Sequence, residues 1–193
     1  MKDLSFLSKI CQTKFDVASP SSFGSGGNLA CVAYPNTKEE MISAIEFLKQ
    51  EGRDCVVLGA CTNTLINDRG FDGAVVSTDM LKGKSVFGDR IYLSAGEKMS
   101  AVCRYALENS LSGIEGLCSI PGSVGGGLSM NCGAFGRELA DVVEYVDLLI
   151  DGKVERVYAK DLGFAYRHSK VKELGVAIGA SVKLAAGNKN RIA

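Results

Sequence analysis

The chain has 193 residues, of which 46% are hydrophobic and 23% charged, and its 22 lysines and arginines balance 22 aspartates and glutamates. That length and composition predict a buried core in one large or two small domains. The zero net charge and the lack of a long basic run argue against a nucleic-acid partner, because phosphate backbones are bound largely through lysine and arginine. No apolar run approaches the roughly 20 residues that span a bilayer, so we expect a cytoplasmic protein without membrane contact.

A strand, a helix and a second strand make up the first predicted unit, and they span residues 29–34, 37–50 and 55–58. Thr37 with Glu40 has the form of a capping box, and Gly52 suits a left-handed residue after the helix. Cys55–Leu58 is a short apolar run typical of a buried strand. The turn Gly59–Asn63 follows it, at the end of a strand where open α/β sheets bind ligands.

A second predicted unit begins near residue 80. Its elements are a strand, a helix, the two strands of a hairpin and a last strand, at residues 91–94, 99–109, 142–150, 153–157 and 176–184. The hairpin turns at Asp151-Gly152, a dipeptide typical of a two-residue turn. The last strand alternates apolar with small or polar residues, which predicts one exposed face. We therefore predict two domains, 1–80 and 81–193.

Cysteine and histidine give no sign of a metal site. The seven cysteines are spread along the chain without a Cys-x-x-Cys pair, which argues against structural zinc and against a disulfide framework. The single histidine, His168, does not supply on its own the ligand set of a metal or the base of a hydrolase triad. We expect no bound metal and assign His168 no role.

Two loops are unusually rich in glycine and small polar residues, "GACTN" at 59–63 and "CSIPGSVGGGLSMNCGAFG" at 118–136. Glycine permits positive φ and lets peptide N–H groups approach a ligand without a Cβ in the way, so such loops suit the phosphate oxygens of a pyrophosphate. Simple turns have the same composition. Neither loop matches the P-loop or the dinucleotide pattern G-x-G-x-x-G.

Four separated motifs together resemble signatures of the UDP-N-acetylenolpyruvoylglucosamine reductases. In chain order they read "SSFGSGGNLACVAYPNT", "VLGACTNTLINDRGFDG", "SGIEGLCSIPGSVGGGLSMNCGAFGRELADVV" and "FAYRHS". The resemblance runs from about residue 20 to the end of the sequence. It implies an α+β protein with the FAD-binding fold of the vanillyl-alcohol-oxidase (PCMH) type, in which 1–80 and 81–193 are two subdomains with FAD between them.

The resemblance also implies which residues hold FAD. They are Gly59, Ala60, Cys61, Thr62, Asn63 and Leu65 on the first loop, and Ile120, Pro121, Gly122, Ser123, Gly125, Gly126, Asn131, Gly133 and Ala134 on the second. Cys61 stands where the family pattern has glycine. If that position needs a positive φ, cysteine would weaken FAD binding by about 1 to 2 kcal/mol. Phe135 replaces a common tyrosine and removes one phenolic donor.

Tyr166, Arg167 and Ser169 match the family motif Tyr-Arg-x-Ser, which implies contacts with the substrate and a catalytic role for Arg167. In the family, NADPH reduces FAD, which passes a hydride to the enolpyruvyl double bond of UDP-N-acetylglucosamine enolpyruvate in peptidoglycan synthesis. A fixed guanidinium would stabilise the negative charge that develops on the enolate.

The family's C-terminal substrate domain, whose serine protonates the enolate carbon, is not found in this sequence. The chain is then a fragment, one half of a split enzyme completed by a partner chain, or a homologue that has lost reduction. Two functions other than the reductase stay open. They are another FAD-dependent oxidoreductase of the same fold and a non-catalytic binding module.

Overall fold

The computed structural model describes residues 11–16 and 24–192, and the chain divides into two compact units, Met1–Leu81 and Lys82–Ala193. The start of the "SSFGSGG" motif, residues 21–23, lies outside the described residues. That the two units are two FAD-binding subdomains stays a prediction.

The first unit is a four-stranded sheet with one helix. Its elements are β1 Cys11–Asp16, β2 Asn28–Ala33, α1 Lys38–Gln50, β3 Cys55–Leu58 and β4 Phe71–Ser77. The strand order is β1-β2-β4-β3; β4 runs parallel to both of its neighbours, and β1 pairs antiparallel with β2. A small core of Leu29, Val32 and Val75 lies in this unit. β4 was not predicted, and it separates the two strands of the predicted strand–helix–strand unit.

Helix α1 begins and ends where its sequence predicts, but the predicted capping box is only half formed, because the Glu40 carboxylate accepts from Asn36 and not from the Thr37 N–H. Thr37 Oγ1 accepts a hydrogen bond from the Glu40 N–H at 3.1 Å. The Glu40 carboxylate completes the N-terminal contacts by accepting from the Asn36 N–H at 2.7 Å. At the other end, Gly52 has φ 63°, and its N–H and the following one donate to carbonyls of the last turn. This arrangement satisfies terminal carbonyls that the helix itself leaves without donors.

The prediction that β3 is a buried strand is wrong. It forms the edge of the sheet, and the Val56 side chain is 41% exposed. The central place belongs to β4, of which Ala74–Ser77 are buried. A short apolar run does not distinguish an edge strand from a central one, because the distinction depends on which distant segment pairs with it.

The second unit is built on a five-stranded antiparallel sheet of order β11-β10-β12-β6-β5. The strands of this unit are β5 Lys84–Phe87, β6 Arg90–Ser94, β7 Leu111–Ser112, β8 Gly133–Ala134, β9 Arg137–Glu138, β10 Val143–Ile150, β11 Lys153–Tyr158, β12 Val176–Lys183 and β13 Ala185–Ala186. Its helices are α2 Met99–Glu108, α3 Val124–Ser129, α4 Val171–Leu174 and α5 Lys189–Ile192, with three short 3₁₀ turns at Glu115–Leu117, Leu139–Asp141 and Ala159–Asp161. The predicted hairpin is confirmed, with Asp151 at φ 45° and Gly152 at φ 80°.

The predicted exposed face of β12 is wrong, because this strand lies in the middle of the sheet and is buried on both faces. Gly179 shows the reason. A Cβ at that position would lie 2.4 Å from the Tyr92 hydroxyl oxygen, so the tyrosine ring covers the small residues of the strand. The Tyr92 hydroxyl donates to Asp147 at 3.1 Å, which fixes the ring there.

None of the helices in the described part of the chain combines the length and the apolar character needed to cross a membrane. Among residues 11–16 and 24–192, no group of three or more histidine, cysteine, aspartate or glutamate side chains could hold a metal ion.

Candidate cofactor and substrate site

The first predicted loop lies where the parallel strands of the first unit end. Gly59–Asn63 follows β3 directly, and the Thr78 N–H, just after β4, donates to the Leu58 carbonyl at 2.9 Å. Gly59, Ala60, Cys61 and Thr62 are half-buried, whereas Asn63 is exposed and Leu65 is 70% exposed. Ligands of open α/β sheets bind at this end of the strands, so the loop is well placed to receive one.

Cys61 has a left-handed backbone, with φ 52°. Its thiol donates to the Gly59 carbonyl at 3.6 Å, a contact inside the loop. Burial, together with the nearby Asp79 carboxylate, raises the pKa of the Cys61 thiol and keeps it protonated. Because a residue with a Cβ loses about 1 to 2 kcal/mol in the left-handed region, the position favours the glycine that the family pattern has there.

Replacing Cys61 with glycine is expected to raise the free energy of unfolding by about 0.5 to 1 kcal/mol, because glycine removes the strain that the backbone carries at φ 52°. Cys61→Ser is the matched control, since serine keeps the Cβ and its left-handed cost. Urea unfolding compares the three proteins. Equal stability of the glycine and serine variants would contradict this explanation.

The second predicted loop enters helix α3 in the second unit. Ser123 is the N-cap, and its side-chain oxygen lies 3.4 Å from the Gly126 nitrogen. The Val124 and Gly125 N–H groups donate at 2.8 Å to carbonyls of the 95–97 segment and are used inside the protein. Of the other predicted loop residues, Ile120 packs on the core, Pro121 is exposed, and Gly122 has φ 123°.

The consecutive glycines of α3 have different surroundings. A Cβ at Gly125 would lie 3.1 Å from the Ala95 Cβ, and one at Gly127 would lie 2.9 Å from the Cys132 Sγ. Gly126 is exposed, and a Cβ there would meet only the Ser123 Oγ, at an ordinary 3.6 Å. Packing within the protein therefore accounts for Gly125 and Gly127 but not for Gly126. A ligand that approaches the backbone closely, such as a dinucleotide, fits that surface.

The first of two exposed turns in the second unit joins β8 to β9. Phe135 at φ 53° and Gly136 at φ 73° occupy the tip, which gives the turn the signs of type I′. Phe135 is 86% exposed. A bulky residue held left-handed costs about 1 to 3 kcal/mol, and such strain is typical of binding sites.

The second exposed turn carries the Tyr-Arg motif. Ala165 and His168 exchange both backbone hydrogen bonds at 3.0 Å, so Tyr166 and Arg167 form the tip between them. Tyr166 is 83% exposed, and Arg167 is exposed with φ 54°. The left-handed backbone at Arg167 is thus built into a closed two-residue turn. His168 Nε2 lies 3.9 Å from a Glu173 carboxylate oxygen, and both side chains are largely exposed.

Asn131 holds the two turns together. Its side-chain amide is buried and donates to the Glu138 carboxylate at 2.7 Å and to the Ala165 carbonyl at 3.1 Å. Its side-chain oxygen accepts from the Ala140 N–H at 3.0 Å. These bonds connect the β8–β9 hairpin with the Tyr166-Arg167 turn. That Asn131 also contacts FAD stays a prediction.

Ser169 anchors the Tyr166-Arg167 turn from the other side. The residue is fully buried, and its hydroxyl donates to the Leu128 carbonyl at 2.7 Å and accepts from the Val171 N–H at 3.3 Å. A hydroxyl with these partners fixes the turn to helix α3. The structure gives Ser169 this supporting position, and its predicted contact with the substrate stays a prediction.

Replacing Asn131 with alanine is expected to lower the free energy of unfolding by about 2 to 4 kcal/mol. The change leaves buried partners of the amide unsatisfied and places alanine at φ 41°. Asn131→Gly removes the same hydrogen bonds but tolerates the left-handed backbone, so we expect it to be less destabilising by about 1 kcal/mol. Urea unfolding of both variants measures the difference, and a loss below about 1 kcal/mol in the alanine variant would rule out this role.

A cleft of about 370 Å³ lies between these turns within the second unit. It is lined by Asn131, Gly133, Ala134, Gly136, Arg137, Glu138, Asp141, Tyr166 and Arg167. The structure thus brings together five predicted site residues and adds three charged ones that sequence reasoning missed, Arg137, Glu138 and Asp141. Their one signal in the sequence is that Arg137 and Glu138 directly follow the "GAFG" turn.

Residues 29–158 match the family model described as FAD binding domain. The chain belongs to this FAD-binding family. The reductase of Streptococcus pneumoniae strain Hungary19A-6, named UDP-N-acetylenolpyruvoylglucosamine reductase, is 40% identical over 161 residues, which are 83% of this chain and 53% of that protein. The chain therefore spans about half the length of the curated relatives it matches.

Solved structures agree with this family membership. The crystal structure of UDP-N-acetylenolpyruvylglucosamine reductase from Thermus caldophilus has a TM-score of 0.82 and 29% identity, over 93% of this chain and 64% of that one. A glucose dehydrogenase, Phl p 4.0202, shares the fold alone, with a TM-score of 0.69 and 17% identity over 94% of this chain and 42% of that one. The predicted resemblance and the α+β fold of the vanillyl-alcohol-oxidase type are confirmed for this FAD-binding chain.

Proposed function

We propose that this chain binds FAD and uses NADPH to reduce the enolpyruvyl group of UDP-N-acetylglucosamine enolpyruvate, giving UDP-N-acetylmuramate for peptidoglycan synthesis in the cytoplasm. The observation that carries the proposal is the exposed Tyr166-Arg167 turn, held by buried Asn131 and Ser169 in a chain with an FAD binding domain. The 40% identity to the pneumococcal reductase supports the choice of substrate.

We assign FAD binding to the two predicted loops. The residues are Gly59, Ala60, Cys61, Thr62, Asn63 and Leu65 of the first unit, and Ile120, Pro121, Gly122, Ser123, Gly125, Gly126, Asn131, Gly133 and Ala134 of the second. Exposed Gly126 supports this assignment, since no neighbour in the described structure requires a glycine there. When bound, FAD supplies the hydride transfer between NADPH and the substrate.

Arg167 supplies the positive charge for the reaction. Its guanidinium has no ion-pair partner among the described residues, so its donors are available to a carboxylate. The closed turn and the φ of 54° fix the backbone from which it extends. A positive group in a preset position stabilises the negative charge that develops as the double bond accepts a hydride. Tyr166 precedes Arg167 in the turn, and its exposed ring and hydroxyl are suited to contacts with the UDP-sugar.

The proton added to the substrate carbon has no assigned donor in this sequence. We propose that a partner chain carrying the substrate domain supplies it. A chain without that donor would still bind FAD and accept hydride from NADPH, and it would pass the hydride to the substrate with water as the source of the proton.

Anaerobic mixing of the FAD-loaded chain with NADPH, and then with UDP-N-acetylglucosamine enolpyruvate, tests the proposal. We expect the visible flavin absorbance to fall with NADPH and to recover when the substrate is added. Recovery with oxygen but not with the substrate would overturn the proposed substrate and favour another oxidoreductase of the same fold. Absence of bleaching by NADPH would overturn the proposed reductant.

A further inference from the structure

We propose that Arg137 is a second substrate-binding cation, and that Arg137 and Arg167 together hold one anionic group of the substrate, a carboxylate or a phosphate, in the 370 Å³ cleft. This inference rests on the proposed function, because it takes the UDP-sugar substrate as the source of the anion. It assigns a binding role to a residue that the motif resemblance does not include.

The first carbons of the Arg137 side chain lie against Gly116. The residue is the first of β9, directly after the Phe135-Gly136 turn. A Cβ built at Gly116 would lie 3.5 Å from the Arg137 Cβ and 3.6 Å from its Cγ, so the arginine stem crosses this glycine. The side chain therefore starts beside Gly116 at the wall of the cleft, and the residue is exposed and accessible to a ligand.

The cleft contains two carboxylates, Glu138 and Asp141, and two arginines whose guanidinium groups can bind an anion. The Glu138 carboxylate accepts from the Asn131 amide at 2.7 Å, and Asp141 Oδ2 accepts from the Glu138 N–H at 2.9 Å. In the part of the chain that the structure describes, the Arg137 and Arg167 guanidinium groups take part in no hydrogen bond or ion pair. Each carboxylate of the cleft thus has at least one hydrogen-bond donor, whereas the two guanidinium groups have no hydrogen-bond or ion-pair partner among the described residues.

Glu115 is the carboxylate outside the cleft whose charge interacts with Arg137. It accepts from the Gly113 N–H at 2.9 Å and 3.0 Å through its two oxygens, and it forms no ion pair with the arginine among residues 24–192. This carboxylate thus has its own donor, and its charge acts on Arg137 without a hydrogen bond or ion pair between the two side chains.

The size of the cleft and the geometry of arginine define the ligand. A volume of about 370 Å³ is at the lower end of small-molecule sites, and it suits one end of a UDP-sugar rather than the whole molecule. A planar guanidinium binds carboxylates and phosphates through two parallel hydrogen bonds. The substrate offers both groups, the enolpyruvyl carboxylate and the diphosphate.

Titration of the full chain with pyruvate and with inorganic pyrophosphate, carried out with and without bound FAD and followed by amide NMR shifts of the 133–138 and 165–168 turns, tests the proposal. Binding that persists with FAD bound belongs to the substrate cleft. We expect one probe to bind, and Arg137→Gln and Arg167→Gln each to weaken it at least about fivefold. Arg104→Gln, at an exposed position on α2, is the matched control and should change affinity less than about twofold. Preference for pyruvate identifies the carboxylate as the bound group, and preference for pyrophosphate identifies the phosphate.

Parent-like binding in Arg137→Gln, an equal loss in Arg104→Gln, or no binding of either probe would overturn the proposal. FAD titration of the same samples separates this result from the proposed function. If the test of the anion site fails while FAD binds normally, only the proposed role of Arg137 is wrong. If a probe binds as expected but FAD does not bind, the proposed flavoenzyme is wrong.

Discussion

Replacing Gly126 with leucine is expected to weaken FAD binding at least about 100-fold while leaving the chain as stable as the parent or slightly more stable. The position is exposed within helix α3, where leucine is favoured over glycine by about 0.8 kcal/mol. No neighbour in the described structure obstructs the new side chain at its Cβ. The side chain would occupy the surface that we assign to the dinucleotide. Flavin titration and urea unfolding measure the two effects separately.

Gly125→Leu is the matched control for this change. A Cβ there would lie 3.1 Å from the Ala95 Cβ and 3.3 Å from the Ala95 carbonyl oxygen, so the larger side chain disturbs the packing and costs about 1 to 3 kcal/mol or more of stability. The two neighbouring substitutions should thus affect different properties. Parent-like FAD affinity in Gly126→Leu would remove the main structural support for a cofactor at this loop.

Replacing Arg167 with glycine is expected to slow reoxidation of the reduced flavin by UDP-N-acetylglucosamine enolpyruvate about 100- to 1000-fold, while reduction by NADPH stays close to the parent rate. Glycine suits the φ of 54°, so the turn persists and the guanidinium alone is lost. The size of the effect is typical of removing one charge-stabilising donor from an active site. Anaerobic stopped-flow absorbance resolves the two half-reactions.

Arg167→Lys is the control that keeps the positive charge but lacks the planar guanidinium. We expect it to recover part of the lost rate, because an ammonium group keeps the charge but not the two parallel hydrogen bonds. Unchanged reoxidation in the glycine variant would show that the guanidinium does not act on the substrate, and slowing of both half-reactions alike would point to a structural defect.

Local signals in the sequence correctly predicted local structure. The cap at Thr37, the left-handed Gly52 and the Asp151-Gly152 hairpin turn depend on contacts between residues close together in the chain, and all are present. Strand β4 was missed and β12 was wrongly given an exposed face. Both errors concern the centre of a sheet, where pairing with distant segments and the ring of Tyr92 decide burial.

The candidate site could also be predicted only as far as its features are local patterns in the sequence. Its glycine-rich loops and the Tyr166-Arg167 motif are visible as short patterns. Which glycine serves packing and which faces outward depends on a contact with Ala95, which is distant in the sequence, and on how the loop folds Cys132 back onto Gly127, and the short pattern predicts neither contact. Arg137 was missed because its place in the cleft depends on the hydrogen bonds of Asn131 to two separate segments.

FAD binding underlies every function proposed for this chain, and titration of the purified protein with FAD measures it. Flavin fluorescence and visible absorbance should show saturable binding of about one FAD per chain, with shifted absorption bands, and the Gly126→Leu variant should lose this binding while remaining folded. A folded parent protein that shows no saturable change with FAD would contradict the assignment of both loops.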